Sequence, residues 1–205
     1  MIETRKRETN LRRRLATMRA AERRLRLRDA ARRLGASEAE VIAAFCGGSV
    51  IRLQPAWRDI LASLPALGEV MALTRNDHAV IEKVGTFGSI EIQGQAGLVL
   101  GEEIDLRLFL DRWHHGFALH DDGEIGLRRS LQFFDSAGRA VHKVFLTESS
   151  DGDAFTQLVL RFAAREQAPH LVAAAPTPLD SERPDGEIDV EGLRAGWIAM
   201  QDTHD

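Results

Sequence analysis

Leu127-Arg-Arg-Ser-Leu-Gln-Phe-Phe-Asp-Ser-Ala-Gly-Arg-Ala-Val-His-Lys-Val-Phe-Leu146 decides the fold. Two runs rich in Leu, Phe and Val, 127–134 and 140–146, flank the turn-forming Asp135-Ser-Ala-Gly138. That arrangement predicts an antiparallel hairpin. Upstream of it the same period continues. Strands are expected at 70–74 and 79–84 around Asn76-Asp77, at 89–93, which alternates strictly, and at 97–100. In 104–110, Ile104, Leu106, Leu108 and Leu110 alternate with Asp105, Arg107 and Phe109, so period two fits there as well. Residues 113–119 are expected to continue the sheet.

Outside this block the period changes. Apolar spacings of three, four and seven in 11–34 predict one or two amphipathic helices, stopped by Gly35. Ser37 and Glu40 form a capping-box pattern for the next helix, which ends at Gly47-Gly48. A short helix follows from Trp57 to Leu64. After the hairpin, Asp153 is the expected cap of a helix over 154–164. A final helix starts near Val190 and stays helical in pattern to Asp205. Helices, then antiparallel strands, then helices define an α+β chain. Its expected organisation is a basic helical region at 1–66, a sheet-plus-helix domain at 67–166, a linker at 167–190 and the start of a helix at 191–205. The linker reading rests on Pro169, Pro176, Pro178 and Pro184.

Composition removes whole classes of function. Cys46 is the only cysteine among 205 residues, so neither an intrachain disulfide nor a cysteine-built metal cluster can form from this chain. There is no βαβ alternation, P-loop or G-x-G-x-x-G, which disfavours doubly wound nucleotide folds. No apolar run is long enough to span a membrane, and the Arg-rich start does not read as a secretory signal, so a cytoplasmic protein is expected. Charge is lopsided. Residues 1–33 hold thirteen Lys/Arg against four Asp/Glu, a net +9, while the remaining 172 carry −13. Such an arm binds nucleic acid or an anionic surface, or docks on the acidic body.

Three sets of residues are candidates for chemistry. Arg28 to Val41 has the helix–Gly–helix spacing of a helix-turn-helix, the basis of an alternative reading as a DNA-binding regulator. Glu38 and Glu40 on its second helix would repel phosphates, which disfavours nucleic acid as partner. Seven histidines are present, and no metal-ligand spacing links them. His114, His115 and His142 are expected to be edge or surface residues. Arg107 sits in a strand among leucines, where it needs either a partner anion or a solvent-facing position.

Several stretches together resemble the hemin-degrading factor family of cytoplasmic haem-handling proteins. They include Leu67-Gly-Glu-Val-Met-Ala-Leu-Thr-Arg-Asn76, Glu82-Lys-Val-Gly85, Gly97-Leu-Val-Leu-Gly101 and Ile104-Asp-Leu-Arg-Leu-Phe-Leu110 with Trp113. Arg128-Arg-Ser-Leu-Gln-Phe-Phe-Asp135, Val141-His-Lys-Val144 and the final Gly196 to Asp205 stretch follow in order. The resemblance implies a large, saddle-like antiparallel sheet with N-terminal helices and helices at its end, one of two tandem repeats. It implies haem b as cofactor, with His204 as proximal iron ligand and Arg107 on the distal side. It implies haem-iron acquisition as the role, as a haem chaperone or a haem oxygenase-like degrading factor. A separate haem oxygenase or a haem-transporter ATPase would be the partner. Where some members carry a histidine before the Glu-Lys-Val-Gly stretch, this chain has Ile81. The last helix reads as cut in mid-pattern, so the chain is expected to be the front half of a duplicated protein.

Overall fold

The structure is a computed structural model that describes residues 2–76, 78–120, 128–176 and 184–201, with side chains from 10 onward and Asp185 as backbone only. Helices α1 (Ile2–Ala21), α2 (Leu27–Leu34) and α3 (Glu38–Ala43) lead into strand β1 (Val50–Arg52) and helix α4 (Trp57–Ser63). Strands β2 (Gly68–Arg75), β3 (Val80–Thr86), β4 (Ser89–Gln93), β5 (Ala96–Leu100) and β6 (Leu106–Phe109) follow. Then come β7 (His115–Leu119), β8 (Ser130–Phe134), β9 (Ala140–Ser150), α5 (Gly152–Phe162) and α6 (Val190–Ala199). The architecture is α+β, dominated by a large antiparallel sheet of order β1-β7-β8-β9-β2-β3. The β8–β9 hairpin lies at its centre, with Gln132 opposite Lys143 and Leu131 opposite Val144.

Strands β4, β5 and β6 form a second, three-stranded antiparallel sheet. The alternation through 104–119 hides this break. A 3₁₀ turn over Leu110–Arg112 ends β6, and β7 crosses into the six-stranded sheet to pair with β8 and β1. Strand β1 lies where only helices were expected. It is three residues long and exists through its pairing with β7. The cap of α5 is Asp151 rather than Asp153. The Asp151 carboxylate accepts from the Asp153 and Ala154 N–H groups at 2.9 and 2.8 Å, so the helix starts two residues earlier, at Gly152.

The inner strands of the six-stranded sheet are covered on both faces, while the edge strand β3 is largely exposed. On one face, Phe117, Leu119 and Phe134 pack against Leu11, Leu15, Ala30, Ala31 and Ile42 of the helical arm. The arm is pinned by more than apolar contact. Arg12 donates to the Ala44 carbonyl and lies over the Phe45 ring. Gly35 ends α2 in the left-handed region at φ 65°, which any side chain would disfavour. The capping box is present: Ser37 Oγ accepts from the Glu40 N–H at 3.2 Å, and Glu40 Oε2 accepts from the Ser37 N–H at 2.8 Å. The Ala39 N–H donates to the Gly138 carbonyl, which joins the start of α3 to the hairpin tip.

On the other face, Val70, Ala72, Leu131, Phe133 and Val144 pack against α4, α5 and the inner side of the small sheet. The small sheet can approach α4 because residue 97 is glycine. A Cβ there would lie 2.7 Å from Leu61 Cδ2. After α5 the chain runs back along β1: the Ala164 N–H donates to the Arg52 carbonyl at 2.8 Å, and Gln167 bonds both the Arg52 N–H and carbonyl.

Candidate functional site

Register places the residues of the small sheet on two faces. Ile90, Ile92, Gly97, Val99, Leu106 and Leu108 point inward, toward α4 and the large core. Glu91, Leu98 and Arg107 form one cross-strand row on the outer face. Leu100 and Phe109, on that same outer face, are 42% and 59% exposed. Arg107 is exposed and makes no hydrogen bond or ion pair among the described residues. The strand alternation of 106–109 therefore does two jobs. Its leucines fill the core, and its arginine and phenylalanine stand outside. The result is a guanidinium with five N–H donors beside an uncovered apolar platform.

A second uncovered surface lies on α6. The Asp189 carboxylate caps it, accepting from the Gly192 N–H at 2.8 Å. None of its residues is buried, and Leu193, Trp197 and Ile198 are all more than 60% exposed. The helix was expected to run to the end of the chain, but it stops at Ala199, where Met200 turns to extended backbone. Two glycines in ten residues lower its intrinsic stability, and no buried face compensates. His204 lies outside the described residues.

The remaining histidines divide by burial. His114 is exposed. His115 is half-buried, and burial, reinforced by Arg52 and His114, pushes its imidazole below the usual value. His142 corrects the expectation of a surface residue. It is fully buried, because β9 is an inner strand of the large sheet, covered on both faces. Its ring stacks near Trp113 at 6.1 Å, and its Nδ1 lies 3.1 Å from Thr74 Oγ1. Burial pushes it down to about 4, so it is a neutral core residue at physiological pH. Cys46 is buried, and burial raises its thiol to about 11, which leaves it unreactive. No group of three or more His, Cys, Asp or Glu side chains is placed to hold a metal among the described residues. No helix among them is long and apolar enough to cross a membrane.

The helix-turn-helix reading fails on burial. Helix α3 would be the recognition helix, yet five of its six residues are buried. Glu38, which would have faced DNA, instead binds Arg75 at 2.6 Å and Lys143 at 2.5 Å inside the molecule. A helix in that position presents no face to a groove.

Comparison with known proteins settles the family. The model of the haemin-degrading HemS/ChuX domain matches residues 35–162, from the end of α2 to the end of α5. The chain belongs to this family. It is 39% identical over 180 residues to the haemin transport protein HmuS of Yersinia pestis, across 86% of this chain and 51% of that one. It superposes on holo-PhuS, a haem-binding protein of Pseudomonas aeruginosa, with a TM-score of 0.81. Identity there is 43%, over 96% of this chain and 57% of PhuS. ChuS, an Escherichia coli haem oxygenase, gives a TM-score of 0.69 at 35% identity, over 95% of this chain and 56% of ChuS. The chain thus spans about half the length of the curated relatives it matches. The family match contains Arg107 and the small sheet, but neither the basic segment before Gly35 nor α6.

Proposed function

We propose that this chain is the haem-binding front portion of a cytoplasmic haem-iron utilisation protein. Haem b seats against the outer face of the β4–β5–β6 sheet, with Arg107 on the distal side and His204 as proximal ligand. The observation that carries this reading is the uncovered outer face itself. A flat macrocycle with apolar faces and a polar centre needs an apolar platform that also presents a donor. Leu98, Leu100 and Phe109 around an unpaired Arg107 fit that need. Membership of the HemS family and likeness to PhuS and ChuS, described as haem-binding and haem-degrading proteins, support it.

Each residue has a distinct task. The Arg107 guanidinium would donate hydrogen bonds toward negative charge at the cofactor centre. Leu98 and Phe109 exclude water from the macrocycle face. His204 would hold the haem iron through one imidazole nitrogen. When bound, haem supplies the redox-active iron. In this reading 67–166 is the haem-utilisation domain, 167–190 connects it to the ligand-bearing segment, and the exposed apolar side of α6 borders the haem pocket. The haem is carried toward a separate haem oxygenase or received from a haem-transporter ATPase, or it is degraded in place.

Hemin titration followed by the Soret band tests the proposal. A saturable band is expected, and His204→Ala should change its position and the axial ligation. Arg107→Ala should leave a band but alter the acid–base transition of the distal site. Ascorbate-driven loss of the band separates degradation from carriage. An unchanged spectrum in both variants would remove the assigned roles.

A further inference from the structure

Helix α1 and the α1–α2 turn do not close fully on the sheet beneath them. Between them lies a cavity of about 820 Å³, the size of a small-molecule pocket. Seven Lys/Arg side chains line it against two carboxylates, Glu38 and Glu82. Glu38 is already shared between Arg75 and Lys143 on the floor. On the roof, Arg19, Arg23, Arg24 and Arg26 have no carboxylate within ion-pair distance among the described residues. Like charges gathered without counter-charge repel.

Two buried atoms show that the cleft is a built site rather than a basic surface. Gln132 is 1% exposed in the centre of the sheet, in register with Lys143, and its Oε1 has no hydrogen-bond partner. The Nε of Arg19, on the opposite wall, is also buried without a partner. Buried polar groups are almost always satisfied, so two orphans on residues that line one cavity point to a ligand that enters it.

We propose that this cleft binds a small, multiply charged anion of the oligophosphate class. Donors stand on both walls, so the ligand must present several anionic oxygens in opposite directions. Gln132 Oε1 accepts from a protonated oxygen of the same ligand. The floor groups are too deep for the phosphates of a duplex: Arg75 and Lys143 side chains are 13% and 7% exposed. This site lies on the opposite side of the six-stranded sheet from the small sheet that carries Arg107.

The test is calorimetric titration of the full chain, without haem, using inorganic tripolyphosphate at physiological salt. One saturable site is expected, with affinity falling from tripolyphosphate to pyrophosphate to phosphate. Arg19→Gln with Arg23→Gln should weaken binding about tenfold or more. The melting temperature without ligand should not fall, since like-charge repulsion is relieved, and the Soret titration with hemin should not move. Gln132→Leu should weaken binding too, although it changes no charge. Absence of saturable binding overturns the proposal. So does binding that ignores Gln132→Leu, or duplex DNA binding that tripolyphosphate does not displace, since either outcome makes the arginines a plain polyanion-attracting surface.

Discussion

Arg75 and Arg107 both stand on β-strands, and the fold treats them in opposite ways. Arg75 belongs to β2, an inner strand of the large sheet, where Glu38 holds it together with Lys143. Arg107 belongs to the sheet covered on one face only, and it stands in the open beside Phe109. A paired, buried arginine cements an arm to a sheet. An uncovered arginine on an apolar face contributes little to folding and remains available to a ligand. The contrast separates residues that hold the molecule together from residues that give it something to do.

The largest test of that contrast is Glu38→Gln. It leaves the Lys143 ammonium buried without its carboxylate and should cost about 3–5 kcal/mol in denaturant unfolding. Lys143 is already pushed down by burial, with Glu38 opposing that push, so removing the carboxylate favours the neutral amine. A loss below about 0.5 kcal/mol, the ordinary surface range, would break the comparison.

Next comes acid sensitivity from His142. Its folded-state value of about 4 lies below the ordinary 6.5, so the unfolded chain takes up a proton first as pH falls. Stability is complete above pH 6.5 and drains away toward pH 4, by about 3 kcal/mol. Denaturation midpoints across that window should flatten in His142→Leu. Ser37→Ala removes one half of the capping box and should cost about 1 kcal/mol by thermal melting. The smallest effect belongs to Arg107→Ala, expected within about 0.5 kcal/mol of the parent while hemin spectra change. An Arg107→Ala chain that unfolds would show that both arginines are structural.

Local features were legible in the sequence. The capping box of Ser37 and Glu40, the stop at Gly35 and the hairpin around Asp135–Gly138 depend on residues within a few positions of one another. The two-faced character of 106–109 was legible too, because alternation alone sends Arg107 and Leu108 to opposite sides. What escaped depends on distant partners. Val50–Arg52 is a strand only because β7 lies beside it. His142 is buried because α4, α5 and the small sheet cover its face, which no neighbouring residue announces. The division into two sheets turns on a three-residue turn, Leu110–Arg112, that leaves the alternating pattern intact. The basic cleft was foreshadowed by the charge of 1–33, but its neutral floor residue Gln132 carries no such mark in the sequence.

The Glu38–Lys143 contact joins residues 105 positions apart. A ribosome adding about 5–20 residues per second needs roughly 5–20 s to span that interval. For most of that wait the arginine-rich helices have left the exit tunnel and β9 has not arrived to receive them. Their apolar stripe and their cationic stripe are both bare at that stage. The final fastening of the arm is thus a late event in biosynthesis, set by the arrival of β9 and not by the speed of helix formation.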